Sequence, residues 1–448
     1  MKVLKFGGSS LASSEQFAKV KDIVYSDSDR EVVVVSAPGK RDADDNKITD
    51  LLYLLHAHIK YGVSSETVRM MITERFVEIK KSLGLSTDIE SIINETLDKV
   101  DKRTTDDFIA SRGEYFCALL MAEYLGFDFV DATEWVTFDY NGKVNNAASE
   151  KKLKDLKKKH GKMVTPGFYG SLPSGDIKVF PRGGSDITGA LAASYLNAEV
   201  YENWTDVSGI LMTDPRIVPE SKTITRVTYD ELRELSYMGA SVLHEDTVFP
   251  VRLKDIPVNI KNTNEPDAPG TIIGEKFDED LSEERERFIT GIAGKKNYSI
   301  INVYKSRIGE EKIKLMRQVL ELFDRFGIPV EQVPSGTDAF SLVFPSDSLG
   351  ARQHDLMQEL EENESIDSCG ITEGISLISI VGRQMAYRTG ISGRVFKALG
   401  DNKINIRTIE QGPDEINIMV GVYNEDFEKA IKVLYDSFAL RADSNKGE

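Results

Sequence analysis

The sequence is poor in cysteine: 448 residues contain only Cys117 and Cys369. They lie far apart among apolar neighbours, fit a reducing compartment, and cannot build a zinc site alone. No apolar run is long enough to cross a bilayer, and the start of the chain lacks a cleavable hydrophobic region. A cytoplasmic protein is therefore expected. Basic charge is also short, with 56 Lys and Arg against 73 Asp and Glu, for a net charge of −17. That balance argues against nucleic acid or an anionic membrane as a general partner, so any phosphate site must be a local basic pocket. The lysine-rich stretch 151–159 reads as a solvated helical face. The chain is too long for one ordinary core, and two or three domains are expected.

What is present is organised around the first ten residues. Val3, Leu4 and Phe6 read as a short buried strand, broken at Gly7-Gly8 and followed by a helix capped around Ser13-Ser14-Glu15-Gln16. Glycines free to take positive φ, nearby amides and Lys5 together suggest a phosphate cradle. Standing alone, the stretch reads more readily as an ordinary β-turn-α connection. The run Glu31–Ser36 is apolar enough for a parallel strand buried on both faces, and its loop Ser36-Ala37-Pro38-Gly39 falls at the ligand-binding end of an open α/β sheet. Residues 40–47 are polar and read as a mobile loop, and Thr49 leads into an apolar helix. His56 and His58 have no evident partner and read as structural. Ser111-Arg112-Gly113-Glu114 reads as the opening of another helix, where Glu114 is a capping carboxylate or the ligand of a substrate ammonium group.

A second glycine-rich helix start occurs at Arg182-Gly183-Gly184-Ser185-Asp186. Two such loops in one domain are harder to explain as coincidence. Trp204-Thr205-Asp206 ends a strand in a polar turn, and Thr213-Asp214-Pro215-Arg216 follows. Strands alternate with helices to about residue 275, which indicates a mainly parallel α/β sheet. Beyond a charged linker the pattern repeats with an offset of 76 residues: Ile328 and Phe340 correspond to Ile404 and Ile416. Leu315, Val319 and Leu322 precede one copy, and Ile391, Val395 and Leu399 the other. Tandem βαββ-type units with apolar faces predict an oligomer.

The full set of motifs, with Gly239–His244, resembles the aspartokinases over nearly the whole chain, and the doubled unit resembles their paired ACT domains. The resemblance implies a three-layer αβα amino-acid kinase fold, residues 1–280, without a Walker P-loop. None is present. It implies a linker and start of the regulatory region at 281–297. Two βαββαβ ferredoxin-like ACT domains follow at 298–372 and 373–448, the second with a first strand borrowed from about 288–297. The implied enzyme uses Mg-ATP to phosphorylate the β-carboxylate of L-aspartate, in the first step of lysine, threonine and methionine biosynthesis. A fused homoserine dehydrogenase is not expected in a chain of this length.

By the same resemblance, Lys5 and Asp186 are catalytic, and Lys5, Gly7, Gly8, Ser9, Trp204, Thr205, Asp206, Asp214 and Arg216 bind ATP. Ser36, Thr49, Glu114, Arg182 and Ser185 form the aspartate pocket, with Arg182 on the α-carboxylate and Glu114 on the α-ammonium. Magnesium arrives through the ATP phosphates. Val330, Glu331, Ser335 and Asp338 bind an effector, lysine in preference to threonine. Assembly as a homodimer or homotetramer through the ACT domains is implied, with neither nucleic acid nor membrane as partner. Ser241 stands where many aspartokinases have a lysine that reaches the nucleotide, and His244 reads as a packing residue. Alternatives are another amino-acid kinase, acting on acetylglutamate, glutamate or a nucleotide, or an amino-acid sensor whose kinase site has decayed.

Overall fold

The computed structural model describes residues 1–181, 183–240, 243, 245–277, 289–306 and 309–439. Arg182, Ser241, His244 and the linker up to residue 288 lie outside the described residues. The chain divides into two compact units, one of residues 1–210, 223–229 and 242–277 and the other of residues 211–222, 230–241 and 278–448. No described helix is long and apolar enough to cross a membrane.

In the first unit the apolar runs become strands β1 (Lys2–Phe6), β2 (Arg30–Val35), β3 (Asp128–Phe129) and β4 (Met163–Pro166). A small separate hairpin follows, β5 (Tyr169–Ser171) with β6 (Ile177–Val179). Strands β7 (Val200–Thr205), β8 (Arg226–Thr228), β9 (Val258–Asn262) and β10 (Thr271–Gly274) complete the unit. The eight-stranded sheet has the order β3-β4-β2-β1-β7-β9-β10-β8. All its pairings are parallel except β9 with β10.

Alternate residues of the central strands go to opposite layers. Leu4, Phe6, Val33, Val35 and Trp204 share one core with residues of the helices α1 (Ser14–Tyr25), α2 (Ile48–Tyr61), α3 (Glu66–Leu83), α4 (Ile89–Leu97) and α5 (Asp106–Leu125). The helix α7 (Gly184–Leu196) lies across β1, β2 and β7 and packs with α6 (Asn146–His160). Its small residues Gly189, Ala190, Ala192 and Ala193 are buried, which lets the helix approach closely. The chain leaves β1 for β2 on one side and reaches β7 on the other. The crevice past the carboxyl ends of β1, β2 and β7 is therefore the place where an open α/β sheet binds ligands.

At that crevice neither Gly7 nor Gly8 takes positive φ, contrary to the expectation from sequence. Glycine is needed for close approach instead. A Cβ on Gly8 would lie 2.9 Å from the Ala37 carbonyl oxygen, and one on Gly39 would lie 2.7 Å from the Gly8 carbonyl carbon. The Gly39 N–H donates to Gly8 O at 2.8 Å, clamping the two loops backbone to backbone. The polar loop after Gly39 is anchored rather than loose. The buried Arg75 guanidinium binds Asp45 and the Gly39 carbonyl, and Arg41 binds Asp45 from the other side. These cations hold the Asp45 carboxyl well below the usual range despite the desolvation that opposes them.

The second unit starts its sheet with β11 (Gly291–Tyr304), then β12 (Ala339–Pro345), β13 (Ser368–Val381), β14 (Thr408–Gln411) and β15 (Asn417–Tyr423). The two repeats do not form separate sheets. They share one sheet of order β12-β11-β13-β15-β14. Tyr298–Tyr304 pairs with β12 and with the first half of β13, whereas Gly291–Lys295 pairs with the second half, Leu377–Val381. The helices Lys312–Arg325 and Ile391–Asp401 bury the apolar residues of the repeat, with Leu315, Val319 and Leu322 in one and Ile391, Val395 and Leu399 in the other. Gln332 and Thr408, one repeat apart, meet directly through a side-chain hydrogen bond of 3.2 Å.

Gly8→Ala should lower stability by about 1–3 kcal/mol through overpacking against Ala37 and Gly39. Gly7→Ala, whose Cβ would sit at 3.6 Å from its nearest neighbours, should cost less than about 1 kcal/mol. Urea denaturation of both variants measures the difference, and equal stabilities would contradict the clamp.

Candidate active site

Lys5, next to the carboxyl end of β1, is 7% exposed, and its Nζ lies 2.8 Å from Asp186 Oδ1. Asp186 is in the first turn of α7, which starts because Gly183 takes φ 61° and turns the chain into the helix. Ser185 beside it is buried, and Gly167 leaves room for it: a Cβ there would lie 2.7 Å from the Ser185 side chain. The next residue, Phe168, has φ 79°, a strained value for an aromatic residue, and its N–H donates to Thr188 Oγ1 at 3.0 Å. The structure thus brings both glycine-rich loops to one charged cluster.

Glu114 is not at a helix start. α5 begins at Asp106, capped by the Thr105 hydroxyl, so Glu114 lies more than two turns in and the capping reading fails. Each residue of its motif has a separate task. The Ser111 hydroxyl donates to the Phe108 carbonyl and accepts from the Arg112 guanidinium. That guanidinium is enclosed by the rings of Phe108, Tyr115 and Tyr169. Gly113 brings α5 against the loop after β2, where a Cβ would sit 2.7 Å from that of Ala37. Glu114 then enters the interior, 5% exposed, and one of its oxygens, Oε2, is buried with no partner. Desolvation pushes its carboxyl up to about 8, against the opposing effects of the Ala37 amide and Arg112.

Other expected site residues differ in what they present. Ser36 is half-buried, and its N–H donates to the Phe6 carbonyl at 3.2 Å. Thr49 lies in the first turn of α2, and Ser9 in a short 3-10 turn after Gly7. The Trp204 ring is a core group: it is 1% exposed, stacks on Phe6 at 6.0 Å and donates to Glu202. Only the Trp204 backbone faces the glycine loop, its carbonyl accepting from Gly7 N–H at 2.9 Å. Thr205 and Asp206 form a polar turn after β7, joined by a hydrogen bond of 3.1 Å. Asp214 and Arg216 belong to the second unit and bind one another, with Arg216 exposed.

Sequence reasoning missed two groups. Asn203 contacts both Lys5 and Asp186. His56, read as lacking a partner, meets Asp106 at 2.7 Å across 50 residues of chain.

In the second unit, the expected effector residues surround the approach to β12. Ser335 bridges to Phe340, the Asp338 carbonyl accepts from Lys305 N–H, and Val330 packs on the unit's core. Glu331 Oε2 accepts a hydrogen bond from the Tyr237 hydroxyl. Tyr237 ends helix α8 (Tyr229–Tyr237), whose residues 231, 234 and 237 lie on one face. Fully buried Glu231 accepts from Thr290, from the Arg383 amide at 2.7 Å and from the Arg383 guanidinium at 3.1 Å. Glu234 accepts from Asn417. One helix face therefore touches elements of both repeats.

These features agree with what the chain is similar to. The amino acid kinase family matches residues 1–262, and the ACT domain matches residues 378–438. Aspartokinase 3 of Bacillus subtilis is 35% identical over 453 aligned positions, covering 98% of each chain. The crystal structure of Clostridium acetobutylicum aspartate kinase superposes with a TM-score of 0.88 at 44% identity, covering 98% of this chain and 99% of that one. Escherichia coli aspartokinase III with aspartate and ADP gives 0.71 at 25% identity, over 98% and 100% of the two chains. The same enzyme with lysine and aspartate gives 0.73 at 26%, over 98% and 99%. With a glycine-clamped crevice at the end of the central strands, a repeated regulatory half, and likeness along nearly the whole length, the chain belongs to the aspartokinase family and is an aspartate kinase with ACT regulatory domains.

Proposed function

We propose that the chain transfers the γ-phosphoryl group of ATP to the β-carboxylate of L-aspartate, giving 4-phospho-L-aspartate, the first step towards lysine, threonine and methionine. The observation that carries the aspartate half of this reading is the buried Glu114 oxygen without a partner. A carboxylate there lacks a counter-ion until a cation enters, and the α-ammonium of an amino acid supplies one. Arg182, whose place in the sequence is between Pro181 and Gly183, is assigned the α-carboxylate, and Ser36, Thr49 and Ser185 complete the pocket.

The acceptor is already ionised at neutral pH, so the reaction needs no general base. It needs in-line positioning and compensation of negative charge on the transferring group. Lys5 is assigned that charge, with the amides of Gly7, Gly8 and Ser9 along the phosphates and Thr205, Asp206, Asp214 and Arg216 on the nucleotide. Asp186 uses Oδ1 for both Lys5 and Asn203, so Oδ2 is the atom suited to a metal-bound water. Magnesium held on the ATP phosphates would neutralise part of their charge and needs few protein ligands.

Regulation by lysine at Val330, Glu331, Ser335 and Asp338 belongs to the same reading, with threonine as the lesser candidate. It is supported by the acidic character of the site and by the lysine complex of the E. coli relative. An effector ammonium at Glu331 would compete with the Tyr237 hydroxyl. Assembly as a homodimer or homotetramer through the ACT half is part of the proposal; β14 ends the sheet with Ile409 half exposed.

Magnesium-dependent ADP release, with the acyl phosphate trapped as a hydroxamate, should require L-aspartate. Tight amino-acid binding without turnover would instead identify a sensor. Because Glu114 must ionise to hold the ammonium, the KM for aspartate should fall as pH rises from 6 towards 8. The raised folded value has the opposite effect on the free protein. Stability present below the unfolded value of 4.5 is lost as pH rises through about 8. Saturating aspartate should therefore raise Tm more at pH 8 than at pH 6, and Glu114→Gln should remove both trends while raising KM at least about tenfold. A pH-independent KM in the unaltered enzyme would contradict the assignment.

Tyr237→Phe should make lysine inhibit at several-fold lower concentration, and Glu331→Gln should abolish inhibition. Inhibition curves unchanged in both variants would remove lysine from this site.

A further inference from the structure

We infer that Asn203 is a positioning residue for phosphoryl transfer, holding Asp186 in place as Lys5 turns from that carboxylate to the transferring phosphate. The inference rests on the reading that Lys5 and Asp186 serve the reaction.

Asn203 occupies a place where a parallel strand ordinarily carries an apolar residue. It lies in β7 directly opposite Lys5 of β1 in the parallel register, so the two side chains project from the same face. It is 4% exposed, and a buried amide is tolerated only where its donor and acceptor are both used. Here both are used within the charged cluster. Oδ1 accepts from Lys5 Nζ at 3.5 Å, and Nδ2 donates to Asp186 Oδ1 at 2.8 Å. The charges fix this orientation, because the reversed amide would set a donor against the ammonium and an acceptor against the carboxylate.

Asp186 Oδ1 is therefore held by two donors, the ammonium and the amide. When the ammonium leaves, the amide remains, and the carboxylate keeps both its position and one hydrogen bond. The same strand holds the same residue a second time, since the Tyr201 hydroxyl donates to the Asp186 carbonyl at 3.2 Å. Without the Asn203 amide, Lys5 and Asp186 would form an exclusive pair. Lys5 could then reach the phosphate only by leaving the largely buried Oδ1 without a donor or by drawing Asp186 after it. Either course raises the barrier to transfer more than it weakens aspartate binding.

The test is steady-state kinetics of the full chain by the hydroxamate assay, with Tm, for Asn203→Leu and Asn203→Asp beside Lys5→Met and Asp186→Asn. Asn203→Leu should lower kcat about 10- to 100-fold and leave the KM for aspartate within about twofold. Asn203→Asp sets two carboxyl groups side by side, and they share a proton. The protonated form reproduces the donor and acceptor of the amide. Its kcat should approach the wild-type value at acid pH and decline as pH rises, along a limb that the wild type lacks. A merely structural role would lower Tm without creating that limb. Wild-type kcat in Asn203→Leu, or a wild-type pH profile in Asn203→Asp, would overturn the inference, and the second decides if the leucine variant fails to fold. Full activity in Lys5→Met and Asp186→Asn would instead overturn the reading on which it rests.

Discussion

A carboxylate can be taken out of water only if something replaces its hydration, and Glu114 is taken out of water with only part of it replaced. The rest of the catalytic unit is arranged so that this is possible. α5 has to run close beneath the loop after β2, which requires Gly113. The loop has to hold its own shape, which the Gly8–Gly39 clamp and the Arg75–Asp45 pair provide. The motif's arginine is engaged by three aromatic side chains and by the Ser111 hydroxyl, and its charge only partly offsets the desolvation of the carboxyl. The result is a buried carboxyl group with one oxygen unpartnered, the feature on which the proposed ammonium site rests.

Lys5 is treated in the opposite way. It is paired in advance with Asp186, and the amide of Asn203 sits between them. Under the proposed function an aspartate kinase would gain from both arrangements, the substrate bringing the missing cation to Glu114 and the protein itself supplying the cation for the transferring group. The same logic recurs in the regulatory unit. Buried Glu231 is fully paired, whereas the Glu331 carboxylate has a neutral hydroxyl as its partner, which the proposed effector ammonium would replace.

Much of this was legible in the sequence because it is local or periodic. The strand before Gly7-Gly8, the helix start at Gly183, the parallel character of the sheet and the 76-residue repeat all follow from short-range pattern. The errors have physical causes. Glycines were expected to supply positive φ, but at residues 7 and 8 they supply room for another backbone. Ser111-Arg112-Gly113-Glu114 looks like a helix start, but the Thr105 cap and the acidic first turn of Asp106 and Asp107 start α5 earlier. Trp204 carries a family motif, yet its ring serves the core and only its carbonyl reaches the loop. The shared sheet of the two repeats was not legible as such, since β11 and β13, each of 14 residues, pair with one another across both repeats and each takes a second partner along only half its length. The contacts Asn203–Lys5, His56–Asp106 and Tyr237–Glu331 join residues distant in the chain, and no local pattern announces them.

The most direct test of this account is the titration of Glu114 itself, followed by NMR of the protein labelled with 13C at glutamate side-chain carboxyls and assigned by comparison with Glu114→Gln. The free enzyme should show one glutamate titrating near pH 8, and saturating aspartate should lower that midpoint by more than one unit as the ammonium favours the ionised form. A midpoint near 4.5 in the free enzyme, or one that aspartate leaves unmoved, would contradict the claim that a buried, unpaired carboxylate is what selects the substrate.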